Sequence, residues 1–192
     1  MRRVFIGLAF VAGWVSTANA DALGDAVAKV KADTARYQDV NNALADGYIP
    51  DPVGGCVSAA KIGLPAELGA MGVHYLNPAL LGLSPPGERV DGNGTNLDFS
   101  TPSILLYEPQ ADGSMQLVGV ENLVFKASWD SANKGTLPSF ANVDYDAMSD
   151  NMATPGDEAH GFAPHYDLHI WTERANPAGM TTPFNPAVAC TS

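Results

Sequence analysis

The sequence predicts an α+β fold, with one long N-terminal helix packed on an antiparallel β-sheet with long loops. Three observations predict it. Apolar residues have helical spacing over 21–46, two apolar runs flank a turn within 103–126, and apolar and polar residues alternate within 165–173. A helix on one face of an antiparallel sheet is a common two-layer solution, and we expect roughly four or five strands.

Residues 1–20 have the pattern of a secretory signal peptide. Arg2 and Arg3 precede an apolar run, and Ala18-Asn19-Ala20 supplies the small residues of a cleavage site. The alternative is a membrane anchor, but the apolar run is too short to span a hydrocarbon core of about 30 Å. We therefore expect residues 21–192 to form a single α+β domain that is periplasmic or secreted, with no membrane insertion after cleavage.

The charge of the chain limits its partners. The formal net charge is −11, and removal of the positive charges at Arg2 and Arg3 would change it to −13. Such a surface repels phosphate groups, which argues against nucleic acid and anionic lipid as partners. It weakly favours cationic ligands, so we expect a metal ion or another small ligand as the partner. The sequence leaves the oligomeric state open.

The N-terminal segment of the mature chain reads as an amphipathic helix. Apolar residues recur mostly at steps of three and four from Leu23 to Leu44, so they form one stripe. Gly47 follows as a suitable residue to end the helix.

The chain has two cysteines, Cys56 and Cys190. An even number of cysteines in an exported protein predicts a disulfide, which here would join the segment after the helix to the C-terminus. The alternative, a thiolate pair for metal binding or redox chemistry, lacks the CxxC spacing typical of such sites.

The middle of the chain alternates between loops and strands. Residues 48–70 and 79–102 are rich in proline and glycine, which predicts loops, and between them 71–78 is a short strand. The segment 103–126 predicts a β-hairpin with its turn at Asp112-Gly113. Residues 127–163 then read as a long acidic loop, which is typical of a lid, a binding loop or a partly disordered segment.

The stretch "PHYDLHIW" (164–171) is the clearest functional candidate. In a strand, His165, Asp167 and His169 share one face, whereas Tyr166, Leu168 and Ile170 share the other. One interpretation is a polar face turned to solvent. On a straight strand the two histidines lie about 13 Å apart, too far to share an ion unless the strand bends, and Pro164 could supply such a bend. Asp167 and His169 are close enough to converge.

Two more residues could join this face. His74 lies in the strand at 71–78, on the same side as Leu76. Glu121 lies in the apolar run "LVGVENLV", and a buried carboxylate is rare unless it is paired. If the run is a central strand, Glu121 needs a histidine, an arginine or a metal as partner. If the run ends or bulges at Gly119, Glu121 can reach solvent.

We therefore predict a divalent transition-metal site with His74, Glu121 and His169 as inner ligands. Asp167, His165 or His160 would complete or orient it, and His160 could close over it from the acidic loop. Imidazole and carboxylate donors suit zinc, copper, iron or nickel. Three functions stay open: an exported protein that binds a metal or small ligand, a metal-dependent hydrolase or oxygenase using the same ligands, and a structural or interaction protein with incidental histidines.

Several segments together carry a resemblance to known proteins. They are "ARYQDVNNALADGY", "MGVHYLNPALL", "LLYEP" with "LVGVE", and "YDLHIW" with "NPAGM" and "FNPAVAC". The chain resembles, over most of its mature part, a family of small secreted bacterial proteins. The resemblance implies export and a single domain, and it implies no particular activity or site.

Overall fold

The structure is a computed structural model that describes residues 17–52, 55–151, 153 and 159–190. Most of the predicted signal peptide, residues 1–16, lies outside this described part. Among the described residues, no helix is both long enough and apolar enough to cross a membrane.

The described residues form four α-helices, three short 3-10 helices and nine strands. The α-helices are α1 (Thr17–Thr34), α2 (Val40–Ala45), α3 (Pro78–Leu81) and α4 (Lys126–Ala132), and the 3-10 helices are Ala35–Gln38, Ala60–Ile62 and Ala66–Leu68. The strands are β1 (Ile49–Pro50), β2 (Cys56–Ser58), β3 (Ala70–Leu76), β4 (Ile104–Pro109), β5 (Met115–Phe125), β6 (Ser139–Phe140), β7 (Val143–Asp144), β8 (Asp146–Met148) and β9 (His165–Ile170).

Seven of the described strands form one sheet in the order β1-β3-β4-β5-β9-β8, with β2 also pairing with β3. Every pairing in this sheet is antiparallel, so the described chain has an α+β structure with an antiparallel sheet, as predicted. The predicted hairpin corresponds to β4 and β5, and the two predicted single strands to β3 and β9. The sheet exceeds the four or five strands expected because short strands, which have little sequence signal, extend both of its edges.

The predicted continuous helix over 21–46 is wrong in its extent. The chain leaves α1 after Thr34, passes through a 3-10 helix and restarts as α2. Asp39 is the N-cap of α2, because its backbone is extended and its side chain accepts a hydrogen bond from the Asn41 amide at 3.0 Å. The apolar spacing conceals the break, because Val30 in α1 is buried in the same cluster against which Val40 in α2 packs.

The predicted long loop over 127–163 is not continuous, because a helix and three short strands interrupt it between residues 127 and 148. The described part of this segment contains nearly all of α4, the β6–β7 hairpin and β8. Trp129 anchors α4 in the core, and β8 pairs with β9. Residues 152 and 154–158 lie outside the described part of the chain.

Both faces of the sheet are buried, and each has its own hydrophobic cluster. The helix-side core joins the N-terminal helices to one face of the sheet through Val27, Val30, Tyr37, Tyr75, Tyr107, Leu117, Val120, Tyr166, Leu168 and Ile170, among others. The loop-side core covers the other face with α3 and irregular segments, and includes Leu76, Leu81, Val90, Ile104, Leu106, Leu123, Phe125, Phe162, Trp171 and Val188.

A β-bulge in β5 decides which residues face the loop-side core. Leu106 pairs with Gly119, but the next residue of β4, Tyr107, pairs with Leu117, so Val118 is an extra residue. Leu117 lies in the helix-side core, whereas Leu123, six residues later, lies in the loop-side core. The bulge therefore reverses the alternation and turns Glu121 towards the loop side.

The C-terminal segment is fastened over the loop side of the sheet. Asn185 exchanges two backbone hydrogen bonds with Ala70, and Val188 is buried in the loop-side core. Cys190 forms the predicted disulfide with Cys56, which pairs with Val73 on β3. The disulfide thus ties the C-terminal segment to β2, which pairs with β3, the strand that carries His74.

We expect the disulfide to contribute strongly to stability. It closes a loop with a sequence separation of 134 residues. In the chain-entropy model, a loop of that size stabilises the fold by about 5 kcal/mol. Urea unfolding of the Cys56→Ser, Cys190→Ser double variant should show a lower midpoint than the oxidised protein. Reducing agent should lower the midpoint of the wild type and leave the variant unchanged; equal midpoints for oxidised wild type and variant would contradict the expectation.

Candidate metal centre

Three strands bring His74, Glu121 and His169 together on the loop side of the sheet. Glu121 on β5 pairs directly with His169 on β9, and on its other side with Ile104 on β4. His74 on β3 pairs with Leu106, two residues along β4 from Ile104. The three side chains are 5, 3 and 1 % exposed respectively, so they lie within the protein.

The donor atoms of these residues converge on a small volume. Glu121 Oε2 lies 3.2 Å from His74 Nε2 and 3.3 Å from His169 Nε2. One donor atom from each residue can be chosen so that all three lie within 4.8 Å of one another. In a tetrahedral site with bonds of about 2.0–2.1 Å, neighbouring donors are about 3.3–3.4 Å apart. The group could therefore hold a metal ion.

The hydrogen-bonding state of the group also fits an ion. Glu121 Oε2 and both ring nitrogens of His169 are buried, and none has a hydrogen bond of good geometry to the described residues. His74 Nδ1 is in the same condition. Buried polar atoms are nearly always paired, so this concentration of unpaired donors and acceptors requires an explanation. A cation bound by Glu121 Oε2 and by one nitrogen of each ring would satisfy the carboxylate oxygen and one of the His169 nitrogens.

The charges of these residues also shift the pKa values of their neighbours within the group. Burial would raise the pKa of Glu121, but the adjacent His169 and His74 rings lower it to about 2. Burial would lower the pKa of His74, but the Glu121 carboxylate outweighs burial and raises it above its ordinary value. Glu121 is thus held as a carboxylate, which is the form that binds a metal.

The predicted alternation of β9 is confirmed, but the solvent-facing interpretation is wrong. Tyr166, Leu168 and Ile170 lie in the helix-side core. His165, Asp167 and His169 are buried as well, because α3, the segment around Val90 and residues 159–163 cover their face. A polar row on a strand cannot reveal a covering loop that is distant in sequence.

His165 and Asp167 form a second pair beside the three donors. His165 Nε2 lies 3.6 Å from Asp167 Oδ2, and His165 Nδ1 lies 2.8 Å from the Ala163 carbonyl oxygen. Burial would lower the pKa of His165, but Asp167 raises it. Neither residue belongs to the converging group found among the described residues. Asp167 still acts on that group, since its charge helps to raise the pKa of His74.

His160 lies in the turn that covers this face. Burial lowers its pKa to about 4, and the neighbouring His74 acts in the same direction, whereas Asp167 opposes it. Its ring contacts Phe184 edge to face, with centroids 6.3 Å apart. The structure therefore brings His160 within electrostatic range of the centre, without including it in the converging group.

Two neighbours were not singled out from the sequence. Asp51 is buried next to His74, where its amide donates to the His74 carbonyl at 2.8 Å and its charge raises the His74 pKa. Trp171 stacks against the ring of His169 with centroids 6.4 Å apart. No local pattern identifies Asp51, because its position depends on the pairing of β1 with β3. Trp171 lies in the "PHYDLHIW" stretch two residues after His169, so the alternation of a strand predicts that both side chains share one face.

Searches of protein-family models, curated proteins and solved structures find no match to this chain. The centre is therefore interpreted from its own residues.

We expect the metal-free protein to be most stable in mildly acidic solution. The pKa of Glu121 falls from 4.5 on folding, so its contribution is present above pH 4.5 and is lost as the pH falls towards 2. The pKa of His74 rises from 6.5, so its contribution is full below pH 6.5 and is lost as the pH rises through the raised value. Urea unfolding of chelator-treated protein should therefore show a falling free energy of unfolding above pH 6.5.

Glu121→Gln tests the origin of that fall. The amide keeps the size of the side chain and removes the charge that raises the His74 pKa, so the fall above pH 6.5 should become shallower. A residual slope from the His165–Asp167 pair should remain. An unchanged slope in the variant would refute the assignment to the His74–Glu121 pair.

Close packing of Trp171 requires a glycine at position 119. A Cβ there would lie 2.7 Å from the Ile170 carbonyl oxygen and 3.2 Å from the Trp171 ring. Gly119→Ala should destabilise the protein by roughly 1–3 kcal/mol in urea unfolding, because backbone must move. Gly24→Ala in α1 is the matched control, since nothing lies within 4 Å of its Cβ position. Equal stabilities of the two variants would contradict the expectation.

Proposed function

We propose that this protein is an exported metal-binding protein whose inner ligands are His74, Glu121 and His169. The observation that carries the proposal is the spacing of the three donors, with the two imidazole nitrogens 3.2 and 3.3 Å from one carboxylate oxygen. These distances match neighbouring corners of a tetrahedral site, whereas Glu121 Oε2 makes no well-formed hydrogen bond to the described residues.

Export is the second part of the proposal. The pattern of residues 1–20 is typical of a signal peptide, and the Cys56–Cys190 disulfide suits an oxidising compartment such as the periplasm or the exterior. The strongly acidic composition raises the local concentration of cations around the protein.

The burial of the centre favours binding over catalysis. A catalytic metal site keeps a position open for water or substrate, as in His2Glu zinc hydrolases and in iron oxygenases with two histidines and one carboxylate. Here each inner ligand is almost fully inaccessible, and both cores enclose the sheet. An ion at this position would be shielded from substrates, which suits storage, delivery or a structural role.

The donor set limits the identity of the metal. Two imidazoles and one carboxylate suit zinc, copper(II), iron or nickel, and the absence of thiolate and thioether donors from the set disfavours copper(I). Asp167 would act from outside the three inner ligands, because its charge raises the pKa of His74. The ring nitrogens of His165 face the Ala163 carbonyl and Asp167, so His165 lies one step further from the ion.

Metal analysis of the mature protein tests the proposal. Tag-free protein purified from a periplasm should contain close to one equivalent of a transition metal, and His169→Ala should contain almost none. The metal should also raise the unfolding temperature of stripped wild type, since a ligand at about 100 times its Kd stabilises by about 2.7 kcal/mol.

His165→Ala is the matched control, because it removes a buried histidine from the same strand and face without touching the converging group. It should retain the metal. Absence of metal from wild type, together with no thermal shift on adding zinc, copper, iron or nickel, would overturn the proposal. The three residues would then form a buried ionic cluster without a metal.

A further inference from the structure

The three inner donors leave one side of the centre open to the covering loops. All three project from the same face of the sheet, so an ion bound by them would have its remaining coordination position directed away from the sheet. A donor from the cover is the natural way to complete a tetrahedral site in a buried position.

The cover in this region is a short turn that we call the roof turn, residues 159–163. The Phe162 amide donates to the Ala159 carbonyl at 2.9 Å, which closes the turn. Val90 fixes it on both sides, since its amide donates to the Gly161 carbonyl and its carbonyl accepts from the Ala163 amide. Phe162 is buried in the loop-side core and its ring lies 5.6 Å from that of His165.

His160 is the donor that the roof turn offers. Both of its ring nitrogens are inaccessible to solvent, and neither has a hydrogen-bond partner among the described residues. By contrast, His165 has the Ala163 carbonyl at 2.8 Å from one ring nitrogen and Asp167 near the other. His160 also has a left-handed backbone, with φ at 54°, which is uncommon for a residue with a side chain and typical of functional positions.

The ring of His160 lies on the covered side of the sheet. It contacts Phe184 edge to face, and Phe184 directly precedes Asn185, whose backbone pairs with Ala70 at the start of β3. The charges of His74, Glu121, Asp167 and His169 all act on the His160 ring. The ring lies outside the converging group, so a rotation of the ring or a shift of the roof turn is needed to bring a nitrogen to the ion.

We propose that His160 supplies the fourth ligand to the ion held by His74, Glu121 and His169. This inference rests on the proposed function and adds the residue that closes the site. The resulting set of three imidazoles and one carboxylate has no position left for water in a tetrahedral geometry. Such a site retains its metal and does not catalyse hydrolysis.

The left-handed backbone at position 160 determines the choice of variants. Alanine there would be strained, whereas glycine adopts a positive φ readily and asparagine tolerates it better than most residues. His160→Gly and His160→Asn therefore remove the imidazole and keep the turn. Circular dichroism and the unfolding temperature of the metal-free proteins check that both variants fold.

The probe is Co²⁺, added to the stripped mature wild-type protein, the two His160 variants, His165→Ala and His169→Ala. Its visible absorption distinguishes four-coordinate sites, which absorb strongly, from sites of higher coordination number. Wild type should bind one equivalent with the strong absorption. Both His160 variants should still bind, at least about tenfold more weakly, and their absorption bands should shift as water replaces the imidazole nitrogen. Free imidazole should restore part of the absorption of His160→Gly.

Each alternative outcome has a definite meaning. Unchanged affinity and absorption in both His160 variants, with binding lost in His169→Ala, would overturn the fourth ligand and leave the proposed function standing. Equal weakening in His165→Ala and the His160 variants would overturn it too, because the effect would not be specific to position 160. Failure of wild type to bind Co²⁺, together with no thermal shift on adding zinc, copper, iron or nickel, would overturn the proposed function itself.

Discussion

The burial of the Glu121 carboxylate in a central strand is the constraint on which the rest of the structure depends. An isolated carboxylate in such a position carries a large desolvation cost, so the fold must supply compensating groups. His74 and His169 lie on either side at 3.2 and 3.3 Å and hold the pKa of Glu121 near 2. The order of the strands and the bulge at Val118 bring these groups together, and the cover over the loop side buries them.

Much of this arrangement could be predicted from local sequence. Alternation in "HYDLHI" gave the face of each residue of β9, and the turn at Asp112-Gly113 gave the central hairpin. Glu121 stood out because an ionisable group in an apolar run needs a partner when it is buried. Donor chemistry suggested two histidines and one carboxylate as a set, but their convergence depends on how β3, β4, β5 and β9 pair.

The rest depends on interactions between residues far apart in the chain. The break before α2 leaves the apolar stripe intact, so spacing alone predicts one helix. Short edge strands such as β1 and β8 have too few residues to show a period, and they form because a longer neighbour offers unpaired backbone groups. The sequence indicated a bulge only as one of two possibilities, and at Gly119. Its position at Val118 follows from the register of β4 against β5.

The separation of the donors along the chain has a consequence for where the protein would acquire its ion. His74, Glu121 and His169 are 47 and 48 residues apart, so no short segment of the chain contains two of them, and they come together only when β3, β4, β5 and β9 pair. The C-terminal part of the cover is fixed only when Cys190 reaches Cys56. A chain exported before folding would therefore assemble its centre outside the cytosol. The metal it holds would reflect the supply in that compartment, whatever the intrinsic preference of the donors.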